Sequence, residues 1–193
     1  MKQERGLGMN VLEAALDRIR SLYENGDKVV VCFSGGKDST CILELALIVA
    51  KEFDALPLSV VMRDDEIMFP GTFEYCERVA ARDDIDFHWV YANQPVLNVF
   101  NREMPYYWAF DPQLSPEEWV RIPPDFAYHI PVQNITYCGG EAMFPPADGQ
   151  RLVNILGLRV AESPFRRMGL HSSGSFLTKK MPGNKHLARP IYD

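Results

Sequence analysis

Apolar residues recur at Met9, Leu12, Ala15, Leu16, Ile19 and Leu22, a three-to-four spacing that predicts an amphipathic helix over residues 9–25. Asn25-Gly26-Asp27 closes it as a C-terminal turn, and Lys28 leads into the β-former run Val29-Val30-Val31-Cys32-Phe33. A polar turn, Ser34 to Thr40, follows, and then a run from Cys41 to Val49 that is apolar nearly all round, the mark of a helix buried on more than one side. Leu56 to Met62 reads as a second strand, continuous in its hydrophobicity like strands of a parallel sheet covered on both faces. A short helix is expected over Thr72–Arg82 with Thr72 as N-cap. A third strand is expected over Ile85–Tyr91, where Ile85, Phe87, Trp89 and Tyr91 share one face and His88 lies on the other. Arg151–Leu158 supplies a further buried strand. This order predicts an α/β, Rossmann-like, doubly wound and mostly parallel sheet with helices on both faces, whose ligands sit at the carboxyl ends of the strands.

Residues 95–146 break the rhythm. Prolines and aromatics crowd together in Pro105-Tyr106-Tyr107-Trp108, Trp119-Val120-Arg121, Pro123-Pro124 and Phe144-Pro145-Pro146. Only Asn98–Met104 and Ser115–Arg121 read as helical, the second opened by Ser115-Pro116 in N-cap and N1 order. A loop this long and this aromatic is expected to be a folded insertion that covers the ligand site and sets acceptor specificity, or else a structural cap. Arg121 is its best candidate for contact with an anionic group. A second polar stretch, residues 171–185, reads as a loop; Lys179, Lys180, Lys185 and His186 would suit an anion there.

The 193 residues suffice for one α/β domain, so residues 1–193 are read as a single unit carrying the insertion. No apolar run is long enough to span a membrane, and the charged start Met1-Lys2-Gln3-Glu4-Arg5 lacks the apolar segment of a secretory leader, so a cytoplasmic protein with no membrane partner is expected. A net charge of −6 gives no global reason for nucleic-acid binding. The oligomeric state is left open, with a homo-oligomer among the expectations. Cys32, Cys41, Cys76 and Cys138 are scattered without Cys-x-x-Cys spacing, and Cys32 and Cys41 are expected as small core residues.

The chemistry concentrates in Ser34-Gly35-Gly36-Lys37-Asp38-Ser39. Gly35 and Gly36 let backbone N–H groups approach an anion closely, and the positive end of the following helix favours negative charge there. Ser34 and Ser39 add hydroxyls, Lys37 adds a cation, and Asp38 either caps the helix or holds a metal ion. The spacing is neither the Walker A pattern nor the Gly-x-Gly-x-x-Gly fingerprint. Two further clusters accompany it. Arg63-Asp64-Asp65-Glu66 ends the second strand, where three acids beside a phosphate loop would call for Mg²⁺ or a substrate cation, or form a solvated turn. Gly157-Leu158-Arg159-Val160-Ala161-Glu162-Ser163, followed by Arg166 and Arg167, offers a glycine for close approach, a guanidinium that can fork onto phosphate or sulfate, and a carboxylate to orient it.

The six residues Ser34–Ser39 resemble the PP-loop of the adenine nucleotide α-hydrolase superfamily, and the chain as a whole is similar to its phosphoadenosine phosphosulfate (PAPS) reductase-like branch, over roughly residues 28–193. Asp64 stands at that branch's spacing before Phe69-Pro70-Gly71-Thr72, although the usual Glu is Gly71 here, and Gly157-x-Arg159 completes the shared pattern. Relatives continue past a Pro-Ile-x-Asp like that at Pro190–Asp193 into a Trp and a helix, which reads as a chain that stops short. The resemblance implies adenine nucleotide binding by Ser34, Gly35, Gly36, Lys37, Asp38, Ser39, Gly157, Arg159, Glu162 and Arg166. It implies catalytic roles for Lys37, Asp38, Asp64 and Arg159, with Asp38 and Asp64 toward Mg²⁺. The reaction expected first is cleavage of ATP between its α and β phosphates to adenylylate an acceptor. Reduction of PAPS by a cysteine thiolate is the alternative, for which Cys138 is the loop candidate, since the family's C-terminal Glu-Cys-Gly-x-His segment is missing. A nucleotide sensor or partner subunit without turnover is the third reading.

Overall fold

The computed structural model describes residues 8–98, 101–130, 143–164, 168, 175–178 and 185–192. Cys138, Arg166, Arg167, Lys179 and Lys180 lie outside the described residues, so the expectations placed on them have no structural counterpart here.

The chain runs through helix α1 (Val11–Glu24), strand β1 (Lys28–Phe33), helix α2 (Lys37–Glu52), strand β2 (Leu58–Asp64), helix α3 (Pro70–Ala80) and strand β3 (Ile85–Tyr91). Strands β4 (Gln94–Leu97) and β5 (Tyr106–Ala109) pair antiparallel as a hairpin, and β6 (Tyr128–His129), β7 (Leu152–Leu156) and β8 (Lys185–Ala188) complete the order. Six strands form one parallel sheet in the order β6-β3-β2-β1-β7-β8. The chain builds outward from β1 through β2 and β3 to β6, then returns to place β7 on the other side of β1. That reversal makes β1 the topological switch point, where the loops leaving β1 and β7 diverge and open a crevice at the carboxyl edge.

Helices α1, α2 and α3 all contribute to one core on a single face of the sheet, through Ala15, Ile19, Leu22, Ile42, Leu43, Ala46, Cys76 and Val79. The crossovers β1 to β2 and β2 to β3 run in the same direction, which puts α2 and α3 on one face, and α1 packs beside them there rather than on the opposite face. The opposite face buries Val30, Val61, Val90 and Leu152 against Ile130 and Phe144, which flank a stretch outside the described residues.

Several sequence expectations are corrected. Residues 101–104 are not helical: Asn101 Oδ1 accepts from the amides of Glu103 and Met104, and the flanking segments form the hairpin. The period-two face shared by Pro95, Leu97, Tyr106 and Trp108 was stronger than the helical signal between them. Ser115–Arg121 makes only one 3₁₀ turn, Pro116–Glu118, because the Val120 amide donates to the Glu66 carboxylate instead of to a carbonyl of its own helix. The third helix starts two residues before Thr72, with Phe69 at its N-cap and Pro70 at N1, where its fixed φ suits a first turn. Met9 and Leu12 face solvent rather than the core, and so does Cys41 on α2; Cys32 is half-buried. Lys185 and His186 open β8 opposite Leu152 and Val153, at the amino edge of the sheet, and His186 is buried with Nδ1 2.9 Å from the Thr178 carbonyl. They stand at the far end from the crevice.

Candidate functional site

The loop between β1 and α2 is tied by its own hydroxyls. Ser39 Oγ donates to the Gly36 carbonyl at 2.9 Å, lies 3.0 Å from Ser34 Oγ, and accepts from the Ser34 amide at 3.3 Å. Ser39 is buried, so its hydroxyl holds the loop closed, while Ser34 is exposed. Gly36 is the N-cap of α2 and offers no side chain to the first turn, so the amides that open the helix keep their hydrogen-bonding capacity toward an anion, with Lys37 exposed as the first helical residue. Gly35 has φ +71° and lies so close to α3 that a Cβ there would stand 2.7 Å from both Cys76 Sγ and Thr72 Cγ2. Burial, with the Asp64 charge second, pushes the Cys76 thiol up to about 11, so at neutral pH it packs beneath the loop as a neutral thiol.

The chain leaving β7 crosses the same helix start. A Cβ on Gly157 would fall 2.5 Å from Asp38 C and O and 2.7 Å from Ser39 N, so only glycine allows this approach. Two residues on, Arg159 Nη1 lies 3.9 Å from Asp38 Oδ1, with the Arg159 side chain 43% exposed. The fold thus brings Gly157 and Arg159 against Asp38 and Ser39, more than a hundred residues away in sequence. Glu162 ends the 3₁₀ turn Val160–Glu162, its amide 3.4 Å from the Arg159 carbonyl, and is exposed.

On the other side of the loop, a cleft of about 360 Å³ is lined by Ser34, Arg63, Asp65, Ile67, Met68, Phe69, Pro70 and Thr72. Phe69 is 84% exposed and Ile67 62% exposed, which leaves an aromatic ring and an aliphatic chain available at its wall.

The acidic run at the end of β2 is neither a solvated turn nor an open cation site. Asp64 is 0% exposed; its Oδ1 receives the Glu66 amide at 2.8 Å and pairs with Arg121, and its Oδ2 receives Trp89 Nε1 at 2.8 Å. Arg121 pairs internally with Asp64 through Nη2, its guanidinium 4.4 Å above the Phe73 ring centroid and 5.9 Å from that of Trp89, while its Nε and Nη1 are buried without a hydrogen-bond partner among the described residues. Asp65 takes a bidentate contact from Arg63 and accepts from Gln94 Nε2 at 2.7 Å. Glu66 is 4% exposed and receives the Phe110 and Val120 amides, both at 2.6 Å. Among the described residues no three His, Cys, Asp or Glu side chains converge as a metal site. With the Asp64 oxygens already engaged, Asp38 is the carboxylate left beside the loop among the described residues, and this described donor set does not fit a resident Mg²⁺ ion.

The functions of these acids were not readable in sequence. Adjacent acids signal charge, but beside Arg63 and Trp89 their partners include residues 94, 110, 120 and 121, which only the folded chain brings to β2.

The profile of the phosphoadenosine phosphosulfate reductase domain matches residues 28–107. YbdN of Escherichia coli (strain K12), a relative without an assigned function, is 34% identical over 128 residues, 65% of this chain and 30% of its own length. The tRNA-cytidine(32) 2-sulfurtransferase 1 of Francisella tularensis subsp. novicida (strain U112) is 53% identical over 32 residues, which are 17% of this chain and 12% of that enzyme. Among solved structures, Candida glabrata FMN adenylyltransferase with FAD and inorganic pyrophosphate superposes with a TM-score of 0.52 at 12% identity, over 98% of this chain and 57% of that one. The same enzyme in complex with FMN and an ATP analogue superposes with a TM-score of 0.51 at 12% identity, over 94% and 51% of the two chains. These structures share the fold. The chain spans under a third of YbdN and little more than half of the adenylyltransferase.

Proposed function

We propose that this chain, whose residues 28–107 match the phosphoadenosine phosphosulfate reductase domain, binds ATP at the carboxyl edge of β1 and transfers the adenylyl group to an acceptor, releasing pyrophosphate. The observation that carries this reading is the convergence of two motifs on one helix start: the uncapped first turn of α2, with Gly157 packed against it and Arg159 beside it. A polyphosphate placed there meets backbone N–H groups, Lys37 and Arg159. The adjoining cleft, about 360 Å³, is at the lower end of small-molecule sites and presents Phe69 and Ile67 to a nucleobase.

In the reaction, an acceptor nucleophile forms a bond to the α-phosphorus while the bond to the bridging α,β oxygen breaks. The electron pair leaves on pyrophosphate and the acceptor proton passes to solvent. Charge grows on the departing pyrophosphate, and preorganised amides with Lys37 and Arg159 stabilise it, the contribution that dominates such catalysis. Mg²⁺ reaching the site would come bound to the nucleotide and screen its phosphates. Adenylyl transfer is also the activity named for the C. glabrata structures, and base thiolation that named for the Francisella relative.

The reductase alternative needs a reactive cysteine near the nucleotide. Of the described cysteines, Cys76 is buried with a raised thiol, Cys32 is half-buried and Cys41 is exposed on α2, so Cys41 is the one the reductase alternative would have to use.

Incubation with α-labelled ATP and Mg²⁺ tests the proposal. AMP or an adenylylated acceptor together with pyrophosphate is expected, falling at least about a hundredfold in Lys37→Ala. Intact ATP with tight PAPS binding would move the reductase reading ahead; ATP bound without turnover would favour the sensor.

A further inference from the structure

The three consecutive acids at the end of β2 are each spent on the chain between residues 94 and 121. Asp64 holds Arg121. Asp65 holds Gln94 through its carboxylate, and its carbonyl accepts from the Tyr107 hydroxyl at 3.3 Å. Glu66 holds Phe110 with Oε2 and Val120 with Oε1. Trp119 Nε1 donates to the Asp111 carbonyl at 2.9 Å, which closes the arm between the two Glu66 contacts.

Glu66 itself has φ +67°, a left-handed conformation that a non-glycine residue keeps only where its surroundings over-determine it. The two backbone hydrogen bonds to its carboxylate are that over-determination. The same short segment turns its other side to the nucleotide cleft, whose lining includes Arg63 and Asp65 and continues through Ile67 to Pro70 and Thr72. One element therefore borders the cleft and fastens the arm.

We propose that Asp64, Asp65 and Glu66 are positioning residues that fasten the arm of residues 94–98 and 101–121 behind the segment that borders the cleft. The acids thus act on the arm rather than on a metal. This rests on the nucleotide reading of the cleft. Ligand filling the cleft bears on residues 65–70, and Glu66 transmits that contact to Phe110 and Val120.

Residue-resolved hydrogen exchange on the full chain, with and without Mg·ATP, tests it in Glu66→Gln. Exchanging one carboxylate oxygen for an amide sets an NH₂ group against a backbone N–H and breaks one arm contact. The Phe110 and Val120 amides are expected to exchange at least about tenfold faster, while β1 and β7 amides are unchanged. ATP affinity by calorimetry is expected to stay within about threefold of the parent. In the parent, saturating ATP slows exchange at these two amides; in the variant that slowing is lost although ATP is bound, a difference that a purely structural brace would not produce.

Unchanged exchange at both amides overturns the proposal. So does equal slowing by ATP in parent and variant, or no slowing in the parent. A fall in ATP affinity matching Lys37→Ala would return the acids to the nucleotide or metal site. A parent that binds no ATP counts against adenylyl transfer, and the same comparison with PAPS as ligand then decides the positioning role; binding of neither overturns both. Should Glu66→Gln fail to fold, Tyr107→Phe, which removes only the hydroxyl on the Asp65 carbonyl, is expected to raise exchange in β5 about threefold with the same ATP dependence.

Discussion

Position 157 tolerates no side chain, because any Cβ there overlaps the backbone of Asp38 and Ser39. Gly157→Ala forces either the exit from β7 or the first turn of α2 to shift, costing about 1–3 kcal/mol as an overpacked contact. The same shift misplaces the amides proposed to hold phosphate, so ATP affinity is expected to fall roughly ten- to a hundredfold, which calorimetry would read directly. Sequence showed a glycine near an arginine; that the glycine is needed against α2 is visible only once the two loops meet. The cysteines give a second contrast. Cys41 is exposed and Cys76 buried, so an alkylating reagent at pH 8 is expected to label Cys41 and leave Cys76 unmodified until unfolding. The Cys76 thiol ionises near 11 when folded and at about 9 when unfolded, so the unfolded chain loses its proton first as pH rises. Its contribution to stability is therefore present below about pH 9 and lost as pH rises toward 11, which urea midpoints across that range would show. A midpoint that does not move over that interval would contradict the raised thiol.

Elements with one strong period were legible in the sequence, and elements that owe their form to distant partners were not. The β1 run, the all-apolar α2 and the covered β2 needed no more than periodicity, and they locate the phosphate loop. The insertion departs from its helix-like patterns because tertiary bonds compete with them: the amide that would continue the Pro116–Glu118 turn is claimed by Glu66, and Tyr106 and Trp108 pair with Leu97 and Pro95 across a hairpin. Helix α1 shows the same balance at its start. Its apolar pattern begins at Met9, but the chain enters the helix only at Val11, behind Asn10. Asn10 Oδ1 accepts from the Glu13 amide and Glu13 Oε2 accepts from the Asn10 amide, each at 2.9 Å, a complete capping box. Asn10→Ala is expected to cost about 1 kcal/mol in chemical denaturation and to leave nucleotide binding unchanged, since the cap touches no residue of the loop.

The parallel sheet divides the whole molecule into two ends with different duties. At the carboxyl edge, glycines, uncapped amides and exposed side chains gather at the switch point at β1, where the proposed nucleotide site lies. At the amino edge, the turn after α1 is fastened to the start of β7: Asp27, buried, receives Arg151 Nε and Nη2 at 2.6 Å each, and Lys28 donates its amide to the Arg151 carbonyl at 2.8 Å. This pair joins the two strands whose carboxyl ends carry the phosphate loop and Gly157, yet it lies a full strand length from either. Asp27→Asn weakens a bidentate, charge-assisted contact and leaves Arg151 short of an anionic partner, for an expected loss of about 1–3 kcal/mol, reduced by the partial exposure of the arginine. Because β1 and β7 remain in register through five residue pairs, ATP affinity is expected to stay within about threefold of the parent at temperatures where the variant is folded. Thermal denaturation and calorimetry on Asp27→Asn and Gly157→Ala should then separate: the first lowers Tm and spares binding, and the second lowers binding by more than its Tm loss explains. If Asp27→Asn impaired ATP binding as strongly as Gly157→Ala, the two edges would be coupled through the β1–β7 ladder, and the division of labour argued from the sheet would fail.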